Sequence, residues 1–134
     1  MSGDVNIKTI QETYDAFGRG DIPFILDIVT DDVDWAADTA SNAAPWYGIR
    51  HGREGVASFF KEFGSTMEVE EFTPISIAAN NTDVHAVVRF RGKRTANGKQ
   101  VSMNLHHFFQ FRDGKISYYR GSEDTAITEA VFRD

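Results

Sequence analysis

The chain has 134 residues, with 14 Lys plus Arg against 20 Asp plus Glu and a formal net charge of −6. That length fits one domain burying about two-thirds of its unfolded surface, and 11 Phe, 4 Tyr and 2 Trp supply bulky core material. Without cysteine there is no disulfide framework, thiol nucleophile or thiolate zinc site. The acidic balance argues against nucleic acid, and neither an apolar leader nor a lysine-rich amphipathic helix points to a membrane, so a cytoplasmic location is expected.

Ile7, Ile10, Tyr14 and Phe17 recur at steps of three and four, which predicts a first helix ended by Gly18 to Gly20. Asp21 is placed to cap a second helix, with Pro23 in its first turn and Ile25, Ile28 and Val29 continuing the spacing until Asp31 and Asp32. Val33 to Ala36 reads as a short strand, and Asp38 to Gly48 as a loop. Val56, Phe59, Phe60 and Phe63 mark a third helix. From Glu68 onward the period changes to two, the signature of an antiparallel sheet.

Asn97-Gly98 and Asp113-Gly114 are pairs suited to two-residue hairpin turns with positive φ at both positions. Two such turns put Val84, Ala86, Val88 and Phe90 opposite Phe111, Phe109, His107 and Leu105. They put Ile116, Tyr118 and Arg120 opposite Phe111, Phe109 and His107, all on one mostly apolar face. His85, Val87, Arg89 and Arg91 then face Gln110, Phe108, His106 and Asn104 on the other side. His107 is thus expected inside and His106 outside, and a one-residue bulge would exchange them.

The succession Ala-Phe-Gly-Arg-Gly-Asp, Asp-Asp-Val-Asp-Trp, Gly-Ile-Arg-His-Gly-Arg-Glu-Gly-Val, a phenylalanine-rich helix and Phe-Gln-Phe-Arg-Asp-Gly-Lys-Ile covers nearly the whole chain. It resembles the SnoaL-like polyketide cyclases and ketosteroid isomerases of the nuclear transport factor 2-like superfamily, and Arg120 to Ala126 is similar to that family's last strand. The resemblance implies an α+β fold: a cone-shaped barrel in which a curved mixed antiparallel sheet wraps around three N-terminal helices and opens into an apolar pocket. It also implies a homodimer joined through the sheet. It does not imply one reaction, because isomerases, cyclases, dehydratases, epoxide hydrolases and non-enzymes share the cone. Ketosteroid isomerases use an aspartate base and a tyrosine and protonated aspartate as oxyanion hole. Those three positions fall on Ala37, Thr13 and His107 here, with Asp38 and Tyr14 as neighbours of the first two, which argues against a steroid isomerase. The aspartate-arginine-aspartate set of limonene epoxide hydrolase-like members is not reproduced.

His107 is the first catalytic candidate, since an inward imidazole can accept or donate a proton near neutrality; the alternative is a core histidine bonded to a backbone carbonyl. Arg120 beside it needs a partner, either a substrate oxyanion or a carboxylate such as Asp34, Asp38 or Asp124. Asp38, near Trp35, Trp46 and Tyr47, reads as a general base or as a turn aspartate. Tyr14 reads as an orienting hydroxyl or as plain core. Trp35, Trp46, Phe59, Phe109, Tyr118 and Asp124 complete the set as substrate-binding candidates. The four histidines lack ligand spacing, so no metal and no other cofactor is expected. The expected ligand is a small hydrophobic molecule with a carbonyl or hydroxyl group. It would be isomerised, dehydrated or cyclised by acid-base proton transfer, or, alternatively, held by a non-catalytic ligand-binding or protein-association module.

Overall fold

A computed structural model describes residues 2–133 of the chain. Helix α1 (Gly3–Gly18) starts where Ser2 Oγ accepts from the Val5 N–H, and it ends as the backbone turns through positive φ at Gly20. Asp21 then caps α2 (Ile22–Asp27) by accepting from the Phe24 N–H at 3.2 Å, with Pro23 in the first turn where no N–H is needed. Strand β1 (Val29–Ala37) begins four residues earlier than the apolar pattern predicts. Asp31 and Asp32 lie exposed within it instead of breaking the chain. They are held by Arg53 and by Arg112, the latter at 2.5 Å from Asp32.

Edge strand β2 (Gly48–His51) leads into α3 (Gly52–Thr66), followed by β3 (Met67–Ala79), β4 (Asp83–Arg94), β5 (Gln100–Arg112) and β6 (Lys115–Ser122). Helix α4 (Thr125–Val131) ends the described chain. The six strands form one curved, unclosed sheet in the order β2-β1-β6-β5-β4-β3, with β1 parallel to β6 and every other pair antiparallel. Helices followed by a mixed sheet make this the expected α+β fold, open rather than closed into a barrel. Neither β2 nor α4 is legible in the sequence. The first has four mostly exposed residues, and the second has seven and is stable only through packing.

Both hairpins decide which side chains face the helices. At Asp113-Gly114 both residues have positive φ, 53° and 79°, as a two-residue turn requires. The other hairpin differs from expectation. Arg94 N–H donates to the Lys99 carbonyl at 2.9 Å, leaving a four-residue loop of Thr95 to Gly98. Only Gly98 has positive φ there, because the Asn97 side chain accepts from the Lys99 N–H and donates to the Val131 carbonyl. The ladder therefore slides by two: Val84, Ala86, Val88 and Phe90 pair with Phe109, His107, Leu105 and Met103. An even slide preserves the faces, so His107 is buried and His106 exposed.

Strand β6 breaks the expected alternation. Phe111 pairs with Ile116, but Gln110 pairs with Tyr118, so Ser117 is the extra residue of a bulge. Beyond it every side chain is reversed from the predicted face. Tyr119 points inward opposite Phe109, whereas Tyr118 and Arg120 lie outward opposite Gln110 and Phe108. The core forms two clusters, one around Ile10, Ile25, Trp35, Val84 and Phe109, the other around Trp46, Met67, Phe90, Val101 and Val131. Phe59, Phe72 and Leu105 touch both clusters.

Candidate active site

A cavity of about 90 Å³ lies where the two clusters meet, walled by residues of both. Three adjacent strands supply its sheet side in register. Trp35, Tyr119 and Phe109 stand abreast on β1, β6 and β5, and Ala37, Gly121 and His107 form the next row. His107 is also flanked by Ala86 on β4, so small residues on both sides leave room around the imidazole.

Helix α1 brings Tyr14 over this row, and Tyr14 Oη and His107 Nδ1 share a hydrogen bond of 2.8 Å. Rings of Phe72, Phe109 and Tyr119 surround the imidazole at centroid distances of 6.2, 6.0 and 5.3 Å. Burial, with a smaller contribution from His106, lowers the His107 pKa to about 3, so the ring is neutral at physiological pH. Burial likewise pushes the Tyr14 hydroxyl above its ordinary range, with Tyr119 adding to the shift. A neutral imidazole bonded at Nδ1 has two useful states. When Tyr14 donates to Nδ1, Nε2 carries a proton to offer; when Nδ1–H donates to Tyr14 Oη, Nε2 offers its lone pair. Among the described residues, the hydrogen bond at Nδ1 is the one His107 side-chain bond, and Nε2 makes none.

Gly121 shapes the space next to that nitrogen. A Cβ placed there would collide with Tyr119 Oη and stand 3.4 Å from His107 Cδ2, so the Tyr119 hydroxyl and the imidazole edge share one hollow. Tyr119 is buried, and its hydroxyl pKa is raised by burial first and by Glu123 second. Glu123 itself lines the cavity. Its Oε2 accepts from Tyr47 Oη at 2.8 Å and from Thr128 Oγ1, which ties the loop before β2 and helix α4 to one carboxylate.

Of the residues singled out in the sequence, Tyr14, Trp35, Trp46, Phe59, His107 and Phe109 line this cavity, and Asp38, Tyr118, Arg120 and Asp124 do not. Asp38 is exposed just past β1, held by its N–H to the Gly121 carbonyl at 2.6 Å, while its neighbour Ala37 takes the inward position. The ketosteroid-type base position is thus filled by a methyl group. Arg120 lies on the outer face, 2.9 Å from Asp34 and with its guanidinium 4.2 Å from the Tyr118 ring centre. Its partner is a structural carboxylate, one of the two outcomes the sequence leaves open. Asp124 is exposed at the start of α4. The bulge at Ser117 accounts for the two residues that were missed: Tyr119 replaces Tyr118, and Glu123 replaces Asp124. Among the described residues no group of three or more His, Asp or Glu side chains is placed to hold a metal ion, and no helix is long and apolar enough to cross a membrane.

Three solved structures illustrate how widely this fold recurs. An NTF2-like protein of unknown function from Burkholderia pseudomallei is 23% identical with a TM-score of 0.89, all of each chain being covered. A candidate polyketide cyclase from Xanthomonas campestris pv. campestris is 21% identical with a TM-score of 0.81, covering 99% of this chain and 100% of that one. A candidate isomerase from Bacillus subtilis is 15% identical with a TM-score of 0.82, covering 96% and 93%. At such identities the likeness is one of fold. No curated protein sequence matches the chain. The sequence profile of the SnoaL-like domain matches residues 10–119, from the middle of α1 to the inward Tyr119, and the chain belongs to that family.

Proposed function

We propose that the chain binds a small, largely apolar molecule carrying a carbonyl or hydroxyl group and moves a proton on it, as an isomerase, cyclase or dehydratase does. The observation that carries this reading is the Tyr14 to His107 bond inside a mostly apolar cavity, with Nε2 left without a partner among the described residues. In the tautomer with Tyr14 donating to Nδ1, Nε2–H donates a hydrogen bond to a ligand oxygen; in the other, the Nε2 lone pair takes a proton from the carbon next to the carbonyl and the imidazolium so formed returns it to the enolate. Burial penalises the imidazolium, which favours passing the proton on within one turnover over holding it. Tyr119, across the Gly121 hollow, is placed to donate a second hydrogen bond to the same oxygen as charge develops there. Membership of the SnoaL-like family, and the fold shared with a candidate cyclase and a candidate isomerase, support a catalytic or ligand-binding role. The homodimer through the outer sheet face and the cytoplasmic location belong to the same proposal.

The test uses methyl butyl ketone, a slender neutral carbonyl compound, in deuterated buffer, with exchange of its α-hydrogens followed by NMR. Wild type is expected to accelerate exchange at least about tenfold over buffer, Tyr14→Phe to retain part of that rate, and His107→Gln to lose it. Equal exchange in His107→Gln and wild type would overturn the catalytic assignment. A second reading, ligand binding without chemistry, is favoured by Arg120, which is engaged by Asp34 and does not line the cavity. It predicts saturable binding of the ketone with exchange at the buffer rate.

A further inference from the structure

Among the described residues Glu123 is the charged group lining the cavity, and it is not the group proposed to move the proton. Glu123 follows Gly121 by two residues, just past the end of β6, and lines the cavity. Tyr47 and Thr128 both donate to Oε2, which fixes the side chain, and among the described residues Oε1 makes no hydrogen bond. No Lys or Arg is among the described residues lining the cavity, so nothing there neutralises Glu123 or would neutralise a second anion. The cavity's polar groups therefore ask for different things. His107 Nε2 and Tyr119 can meet a ligand oxygen, while Glu123 Oε1 can only accept.

We infer that Glu123 is a specificity-determining residue, selecting ligands that carry a hydroxyl or amino donor besides the carbonyl and rejecting carboxylates. This rests on the ligand-binding reading of the cavity and names the class of molecule that it takes. A ligand hydroxyl donating to Oε1 gains a hydrogen bond to a charged group in a partly buried site, whereas a ligand carboxylate at the same place faces like charge with no counter-ion among the described lining residues. The outward Arg120 offers no relief, since it is engaged by Asp34 on the other face of the sheet.

The experiment compares three probes by NMR titration: methyl butyl ketone and its analogues carrying a hydroxyl or a carboxylate at the far end of the chain. Wild type is expected to bind the hydroxy ketone about tenfold more tightly than the carboxylate, with the parent ketone between them. Glu123→Gln retains an oxygen for Tyr47 and Thr128 while removing the charge, and should shrink that ratio to about threefold or less. Glu123→Asp, which restores the charge, should again disfavour the carboxylate, and unchanged thermal midpoints would show that α4 stays docked. Equal binding of alcohol and carboxylate by wild type, or an unchanged ratio in Glu123→Gln, would overturn the inference while leaving the His107 chemistry standing. Failure of wild type to bind any of the three would overturn the cavity reading and this inference with it.

Discussion

Protonating His107 in the folded protein would place an imidazolium among Phe72, Phe109 and Tyr119, and that cost is the source of its low pKa. The folded value of about 3 lies below the ordinary 6.5, so the unfolded chain takes up the proton first as pH falls. The contribution of a neutral His107 to stability is complete above its unfolded pKa and is lost at about 1.4 kcal/mol per pH unit towards the folded one. Between pH 7 and pH 4.5, urea unfolding of wild type should therefore lose roughly 2–3 kcal/mol more than that of His107→Gln. Parallel losses in the two proteins would contradict the burial argument. At Gly121 the constraint is space: no positive φ is involved, and a Cβ would stand 2.9 Å from Tyr119 Cζ. Gly121→Ala should cost about 1–3 kcal/mol, and adding Tyr119→Phe should recover part of it in a double-mutant cycle.

At the scale of the element, the bulge at Ser117 carries the largest consequence, because it exchanges the faces of everything that follows in β6. Arg120 becomes an outer-face residue whose ion pair with Asp34 is partly exposed, with a side-chain accessibility of 17% for the arginine. Arg120→Ala should accordingly lower stability by only about 1 kcal/mol and leave the affinity for methyl butyl ketone unchanged. Loss of ketone binding with the fold intact would return Arg120 to the site. The two-residue slide at the other hairpin is harmless by comparison. An even shift moves partners along the strand without turning any side chain over, so the inward placement of His107 survives a wrong turn assignment.

For the molecule as a whole, the cavity depends on a short C-terminal helix that seals the second core cluster. Val131 is buried beside Met103 and Trp46, its carbonyl accepts from Asn97, and Phe132 meets Trp46 at a ring distance of 5.6 Å. Val131→Ala should destabilise the protein by roughly 1–3 kcal/mol. Loosening that end should also shift the Trp46 component of the fluorescence to the red, and an unchanged spectrum would mean that α4 does not seal the cavity. The Glu123 carboxylate connects this closure to the binding site, since it is held by Tyr47 from the loop before β2 and by Thr128 from α4.

Periodicity, the turn pairs and the family resemblance together made three features legible: the helix presenting Tyr14, the alternation that turns His107 inward, and Trp35, Trp46, Phe59 and Phe109 as cavity residues. The first two follow from the spacing of apolar residues and a cap or turn within a few positions, which a linear reading can see. The choice of Tyr119 over Tyr118 and of Glu123 over Asp124 was made only by the tertiary structure. One unpaired residue at Ser117 reverses the faces of β6 after it, and no residue type there announces the bulge. Asp38 illustrates the same limit: it lies just past the end of β1 and is exposed, while Ala37 before it lines the cavity.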